Sequence, residues 1–304
     1  MKVKSLGFDF ELLELSHKEL LSGFLARHPQ PLSGYTFATL AAWHDHFEYG
    51  WIKAEPDTLL ISCTLGPDRK RHLMQPLGRF SAELQRHILT EATGAGYEIR
   101  IVGVSDTFLS RHPDFVSRFE IKNDRMAANY VYRTEDLARL PGRKYSKKRN
   151  LISQASNLYE WTVLPLTAEN MGMCFAVLRQ IETTERPEMD TNLRRELVSL
   201  EYALRHFEEL EQKGIVIAIG AQPVAFSVFE RISTDTVAIH FERALRSYKG
   251  LYQVVNREAA RVIAGMGVEF INREEDIGDA GLREAKLSYY PQQLVLAYEL
   301  KFKR

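Results

Sequence analysis

A strand, a glycine turn and a helix follow one another between residues 236 and 266, and this order constrains the fold more than any other feature. Thr236–Glu242 alternates apolar and polar residues, as a half-buried strand does. The turn after it contains Arg246, Lys249 and Gly250. Apolar residues at helical spacing then predict a helix over Tyr252–Met266. Because this arrangement directs backbone N–H groups and the positive end of a helix to one point, it predicts a site for an anion.

A polar segment, residues 272–291, follows the short strand Val268–Ile271. Asp279 is a candidate N-cap for a short helix, on which Arg283 and Lys286 stand three residues apart and share a face. We expect these two cations to face an acidic loop, and a half-buried cluster of this kind shifts pKa values. The loop consists of Glu274, Glu275 and Asp276. The alternative is a surface helix with ordinary ion pairs, which stabilise little.

Three blocks of the sequence resemble the lysyl-phosphatidylglycerol synthase C-terminal domain family. The most specific block has the family's order of asparagine, an acidic pair, Asp and Gly, followed by Gly-Leu-Arg, Lys and Pro. Here it consists of Asn272, Glu274, Glu275, Asp276, Gly278, Gly281, Leu282, Arg283, Lys286 and Pro291. A second block is Asp136–Asn150, and a third, weaker one is Tyr35–Trp43. The three blocks stand in the family's order and span nearly the whole chain.

The resemblance implies an α/β (α+β) fold with two tandem GNAT-like (acyl-CoA N-acyltransferase-like) domains that have mixed central sheets, related to the Fem-type transferases. The order of predicted strands and helices agrees, because it repeats after the middle of the chain. We predict an N-terminal GNAT-like domain at residues 1–140, a basic connecting segment at 141–158 and a C-terminal GNAT-like domain at 159–304. The stretch Gln293–Lys301 is predicted as the last strand of the C-terminal domain.

The overall charge gives no sign of a polyanionic partner, because forty acidic and forty basic residues cancel in this 304-residue chain. Cys63 and Cys174 have neither metal nor redox spacing and indicate a reducing compartment. No apolar run has the roughly 20 residues of a membrane span, and the N-terminus lacks the pattern of a signal sequence. We therefore expect a cytoplasmic protein that meets any charged partner through a local patch.

One such patch is the segment 136–150, which has six cations and one acid. Clustered Lys and Arg side chains can grip a pyrophosphate or supply the counterion release of nucleic-acid binding. We therefore predict that this segment and the glycine turn bind donor phosphates, and we expect the segment to meet the acceptor end of a tRNA donor. The candidate residues are Arg246, Lys249, Gly250, Lys147, Lys148 and Arg149. A solvated linker is the alternative.

Acyl transfer needs a proton acceptor and a group that stabilises charge on the carbonyl oxygen. The candidate catalytic residues are Asp276, Arg283, Lys286, Glu275 and His240, and Asn272 and Glu274 complete the predicted pocket. His240 is a candidate general base, although a histidine in a strand is often only packed. The carboxylates can orient a cationic amino group or act as base. The turn has one glycine where acetyl-CoA enzymes commonly have two, which favours another donor.

The sequence has no Ser-His-Asp order, P-loop or dinucleotide fingerprint, so hydrolase, kinase and dehydrogenase readings have no support. We predict an aminoacyl or acyl transferase, and the resemblance supplies aminoacyl-tRNA as the donor. The alternatives are an acyl-CoA-dependent N-acyltransferase and a non-catalytic ligand-binding protein on the same scaffold. We expect no tightly bound cofactor and no metal, since His44 and His46 fall at a predicted helix end. The acceptor stays open among small molecules, lipids and peptides.

Overall fold

The architecture is described from a computed structural model that covers residues 1–184 and 191–303, with side chains for all of these except 191–193. The chain forms two compact units. The first consists of Met1–Asn129, Glu275–Gly278 and Val295–Arg304, and the second of Tyr130–Glu274 and Asp279–Leu294. These units differ from the predicted domains, whose boundary lies at residues 141–158. The chain enters the second unit at Tyr130 because the strand and two helices that follow pack there.

The elements of the first part of the chain are β1 (Lys2–Ser5), β2 (Phe8–Leu12), α1 (Lys18–Arg27), α2 (Phe37–Ala42), α3 (His44–Phe47), β3 (Gly50–Glu55), β4 (Thr58–Leu65), β5 (Lys70–Met74), β6 (Leu77–Gly78), α4 (Ala82–Gly94), β7 (Arg100–Val104), α5 (Asp106–Arg111), α6 (Pro113–Val116) and β8 (Phe119–Asn123). Those of the second part are β9 (Asn129–Arg133), α7 (Thr134–Arg139), α8 (Ser146–Leu158), β10 (Trp161–Pro165), α9 (Met171–Thr184), α10 (Thr191–Arg205), β11 (Lys213–Ile219), β12 (Gln222–Arg231), β13 (Thr236–Ala244), α11 (Leu251–Ala264), β14 (Phe270–Asn272), α12 (Ala280–Leu287), β15 (Gln293–Val295) and β16 (Tyr298–Phe302).

Within the described residues, the first sheet has nine strands in the order β1-β2-β3-β4-β5-β7-β16-β8, with β6 paired to β4. Strands β5 and β7 are parallel, whereas β16 runs antiparallel to both of its neighbours, so the sheet is mixed. Aromatic side chains fill its core, where Phe10, Phe80 and Phe115 are buried with Leu84 and Ile88 of α4. Burying these large rings together removes much apolar surface from water, which stabilises the unit.

The second sheet has the order β10-β11-β12-β13-β14-β9-β15 in the part of the chain that the structure covers. Strands β13 and β14 are parallel, and the other pairings from β10 to β9 are antiparallel. Helix α11 connects β13 to β14 and buries Val255, Ala259 and Ile263, which stand four residues apart on one face. The predicted strand, glycine turn, helix and strand of this region are thereby confirmed, and both sheets have the predicted mixed character.

The C-terminal residues pair differently from the prediction. Gln293–Lys301 is two strands, of which β15 belongs to the second sheet and β16 lies between β7 and β8 of the first. Leu300 and Phe302 are buried in the core of the first unit. Alternating apolar residues identify a strand, but the sheet that buries them depends on a distant partner. Among the described helices, none is long and apolar enough to cross a bilayer.

Candidate functional site

The parallel pairing of β13 with β14 ends after three residues, at Ala238 beside Asn272, although β13 continues to Ala244. His240 is the extra residue of a β-bulge against β12, because Ile239 pairs with Phe229 and Phe241 pairs with Val228. A bulge redirects a side chain and recurs beside functional sites. His240 and Glu242 therefore lie on β13 just past the point where β14 stops pairing with it.

His240 is buried between two carboxylates, with 4% of its side chain exposed. Its Nδ1 atom lies 2.7 Å from Oε1 of Glu274. Its Nε2 atom lies 3.7 Å from Oε1 of Glu230, which is beyond hydrogen-bond length and leaves an electrostatic contact. Burial lowers the pKa of His240, but the two carboxylates raise it more, to about 10. The predicted pocket residues His240 and Glu274 are thus brought together.

Arg273 forms a second buried group of charges. Its Nη2 atom donates to Oε1 of Glu242 at 3.0 Å, and both side chains are at most 15% exposed. The Asn256 amide is assigned with its oxygen toward the guanidinium nitrogens of Arg273, at 3.2–3.3 Å. The guanidinium also lies 5.2 Å from the ring centroid of Tyr289 and 6.0 Å from that of Tyr132. The guanidinium is therefore fixed by a carboxylate, an amide and two rings.

Lys148 extends this group from the first turn of α8. Its Nζ atom lies 4.2 Å from the ring centroid of Tyr289, the ring that Arg273 also contacts. Burial, and then the neighbouring Arg273 charge, lower the pKa of Lys148. The half-buried ammonium makes neither a hydrogen bond nor an ion pair with any residue that the structure describes. An ammonium that is partly desolvated beside a guanidinium favours a bound anion.

The other basic residues of the predicted phosphate site differ in their surroundings. Arg149 donates to the carbonyl groups of Leu140 and Gly142 and so closes the turn before α8. Lys147 is exposed at the start of α8, as are Arg246 and Lys249 in the glycine turn. Of the predicted cations, Lys148 is the one that the second unit holds half-buried against Tyr289 and beside Arg273.

Gly250 starts α11 with a φ of 81°, a left-handed conformation that favours glycine. A Cβ atom at this position would lie 2.4 Å from the carbonyl oxygen of Leu151 and 3.3 Å from the Cβ atom of Ala155. Both residues belong to α8, so the glycine allows α8 to approach the start of α11. Its close neighbour on the side of an added Cβ is thus a helix backbone, and the donor-binding role of Gly250 stays a prediction.

The segment after β14 contains two Asx turns. The Asn272 side chain accepts the N–H of Glu274 at 2.8 Å, and the Asp276 side chain accepts the N–H of Gly278 at 3.0 Å. Glu274 adopts a φ of 57°, which costs roughly 1–2 kcal/mol for a residue other than glycine. Strain of this kind persists where the surroundings fix the backbone, and it is common at functional sites.

Glu275 and Asp276 belong to the first unit. The Asp276 side chain is fully buried, and its Oδ2 atom accepts from Arg125 at 3.0 Å. Glu275 accepts from the Asn129 amide at 3.4 Å, a weak contact. These contacts hold the two residues that precede Ile277, so both residues have a structural role in the first unit.

Helix α12 carries the two cations of the predicted site. Asp279 caps it by accepting the N–H of Leu282 at 2.6 Å, which confirms the predicted N-cap. Lys286 is 7% exposed, and its Nζ atom donates to the carbonyl oxygen of Arg273 at 2.6 Å. Arg283, one turn earlier, is partly exposed. Lys286 therefore supports the backbone that carries Arg273, and the two cations differ in burial.

The sequence model of the phosphatidylglycerol lysyltransferase C-terminal family matches residues 26–300. The chain belongs to this family. A conserved protein of unknown function from Bacteroides thetaiotaomicron has 27% identity over 97% of this chain and 99% of its own, with a TM-score of 0.87. The structure of L-PGS from Bacillus licheniformis has 13% identity over 97% and 94% of the two chains, with a TM-score of 0.65.

FemX has 9% identity over 94% of this chain and 96% of its own, with a TM-score of 0.58. At these low identities the likeness shows the fold, which is that of the Fem-type and GNAT acyltransferases. Comparison with curated proteins gives no match. Family membership supports acyl transfer of the aminoacyl type as the class of activity.

Arg273, Glu242 and Tyr289 are among the members of the site that sequence reasoning missed, as are Glu230 and Asn256. Arg273 lies within the family block, between Asn272 and Glu274, but the block's pattern does not include it. Glu242 stands two residues after His240 and so points to the same side of a regular strand. The alternation of side chains along a strand could therefore have identified Glu242 as a neighbour of His240. The contact of Tyr289 with Arg273, in contrast, depends on the path of the chain after α12.

Proposed function

We propose that the protein is an aminoacyltransferase whose second unit takes an aminoacyl group from aminoacyl-tRNA and passes it to an amine or hydroxyl acceptor. The observation that carries this proposal is the half-buried Lys148 ammonium, which shares the Tyr289 ring with Arg273 and has no described carboxylate partner. The donor is an ester with a phosphate-rich carrier, so an unpaired cation beside the site suits it. Family membership supplies the aminoacyl class.

The reaction needs few functional groups from the protein. The acceptor nitrogen or oxygen attacks the ester carbonyl carbon, the bond from that carbon to the tRNA ribose oxygen breaks, and the proton of the acceptor ends on the released ribose hydroxyl. We assign Glu274 to hold the amino group of the donor or to relay that proton, because its carboxylate is partly exposed and fixed by His240. Lys148 holds a donor phosphate. The catalytic roles predicted for Glu275, Asp276, Arg283 and Lys286 stay predictions.

An acyl-CoA donor is the alternative within the same reaction class. A CoA pyrophosphate would need close approach to the backbone of the glycine turn, and the space beside Gly250 is filled by Leu151 of α8. This packing favours the tRNA donor. A non-catalytic binding protein is the alternative outside the enzymes.

The test uses the full chain with tRNA charged with labelled amino acids, an extract of small-molecule and lipid acceptors, and the variants Lys148→Ala and Lys213→Ala. We expect the wild type to discharge the tRNA into an acceptor product. Lys148→Ala should weaken donor use by about tenfold to a hundredfold, the range for one charged hydrogen bond. Lys213→Ala is the control, since it removes an exposed cation of the same unit that belongs to no predicted site, and it should change donor use little.

Three other results would contradict parts of this proposal. Discharge of acyl-CoA without discharge of charged tRNA would replace the proposed donor by a thioester. Binding of either donor without turnover would indicate the non-catalytic protein. Equal effects of the two lysine substitutions would show that Lys148 has no special part in holding the donor.

A further inference from the structure

Three charged side chains from separate segments meet around the bulge in β13. Glu230 comes from β12, His240 from β13 and Glu274 from the turn after β14. Their side chains are 13%, 4% and 20% exposed, so the imidazole is inside and Glu274 is the member closest to solvent. The pairing shift at Val228 and Phe229 gives β13 one extra residue, and that residue is His240. The bulge thus serves to direct the imidazole between two carboxylates.

The geometry decides the protonation of both ring nitrogens. Nδ1 lies 2.7 Å from a carboxylate oxygen of Glu274, and a carboxylate only accepts, so Nδ1 carries a proton. Nε2 lies 3.7 Å from an oxygen of Glu230. A lone pair on Nε2 would face this negative oxygen, whereas an N–H there is attracted to it. The imidazole is therefore held in its doubly protonated form and lacks a lone pair for accepting a substrate proton.

We propose that His240 is a positioning residue, a fixed imidazolium that anchors the Glu274 carboxylate in the site, with Glu230 as the counter-charge that maintains the imidazolium. This deepens the proposed function and rests on it, because Glu274 is the group assigned to the donor amine or the proton. It also explains the left-handed backbone of Glu274, whose cost is offset by the Asn272 turn and the bond to His240.

The charges around the imidazole agree with this role. Burial alone lowers the pKa of His240, and Glu274 and Glu230 overcome it and raise the pKa to about 10. A general base needs a pKa near the working pH, and this imidazole is far from that range.

The first test reads the ionisation of His240 directly. The full chain is labelled with ¹⁵N-histidine, and long-range ¹H–¹⁵N spectra are recorded from mildly acidic pH to about pH 10, with His240→Gln to assign the signals. We expect both ring nitrogens of His240 to stay protonated through neutral pH. Glu230→Gln should lower the titration midpoint by about one pH unit or more, the usual effect of losing one nearby charge. Should His240→Gln fail to fold, the shifts caused by Glu230→Gln identify the signals.

A matched control is Glu258→Gln. Glu258 is a carboxylate of similar burial in the same unit, but it pairs with Arg257 and Arg261. Its substitution should leave the His240 midpoint in place. A wild-type midpoint near the ordinary value of about 6.5, or a neutral single tautomer at neutral pH, would overturn the proposal whatever the protein's activity.

The second test separates positioning from simple structural support. In Glu230→Gln the imidazolium neutralises at lower pH, so discharge of aminoacyl-tRNA should fall between neutral pH and about pH 9, while the wild type keeps its activity over that range. A structural contribution would lower activity equally at every pH. Parallel profiles for the variant and the wild type would refute the positioning role. If the wild type discharges no donor, the proposed function fails, and the spectra still decide the state of His240.

Discussion

Replacing Gly250 by Ala should destabilise the second unit through two separable effects. The first is conformational, because alanine at a φ of 81° costs roughly 1–2 kcal/mol relative to a relaxed residue. The second is steric. The new Cβ atom would lie 2.4 Å from the carbonyl oxygen of Leu151, a backbone atom that can move only with α8. Overpacking of this kind typically adds about 1–3 kcal/mol, so we expect a total loss of about 2–5 kcal/mol.

Gly220→Ala isolates the conformational effect. Gly220 has a φ of 59° and belongs to the same unit, but an added Cβ would meet no described atom within 4 Å. Urea unfolding followed by circular dichroism gives the free energy of unfolding for both variants. We expect Gly250→Ala to lose about 1–3 kcal/mol more than Gly220→Ala. Equal losses would refute the packing role of Gly250.

Two further predictions concern buried charges. The pKa of His240 is raised from 6.5 to about 10, so the folded protein binds this proton more tightly than the unfolded chain does. The proton therefore stabilises the folded state by at most about 5 kcal/mol. This stabilisation is complete below pH 6.5 and is lost as pH rises through 10. Denaturant unfolding at several pH values should show this loss in the wild type and a smaller one in His240→Gln, and equal slopes would contradict it. Glu242→Gln should cost about 3–5 kcal/mol in urea unfolding, because it leaves the buried Arg273 charge without its carboxylate. Glu269→Gln is its control, since Glu269 pairs with Arg133 at the same 3.0 Å but half-exposed, and it should cost about 0–1 kcal/mol.

Local signals predicted the local structure well. The alternation in β13, the spacing in α11 and the cap at Asp279 all depend on residues within one or two turns of one another. Each of these features is decided by neighbours in the chain, so the sequence contains the information directly.

Features that depend on partners far away in the sequence could not be predicted from it. Strand β16 has ordinary strand character, yet its place between β7 and β8 is decided by the burial of Leu300 and Phe302 in a core formed near the other end of the chain. The pairing of Arg273 with Glu242 likewise joins residues 31 positions apart. A sequence pattern marks such residues as apolar or charged, but it does not name their partners.

Two parallel strand pairs of the described residues, β5–β7 and β13–β14, end in chemically different surroundings. In the first unit the pair β5–β7 is followed by Gln75, whose side-chain oxygen accepts the N–H and the hydroxyl of Ser105 and whose N–H donates to the Tyr35 hydroxyl. These groups are neutral, buried and hydrogen-bonded to one another, so they close the end of the pair.

In the second unit the corresponding end is lined by ionised groups, among them His240, Glu242 and Arg273. Buried ion pairs stabilise a fold less than well-packed apolar residues of the same volume would, so stability alone does not account for several of them together. A reaction that moves a charged aminoacyl group does account for them, because fixed charges can hold donor and acceptor without reorganising. The contacts at the end of the β5–β7 pair join neutral groups, and this difference supports our proposal that the chemistry belongs to the second unit.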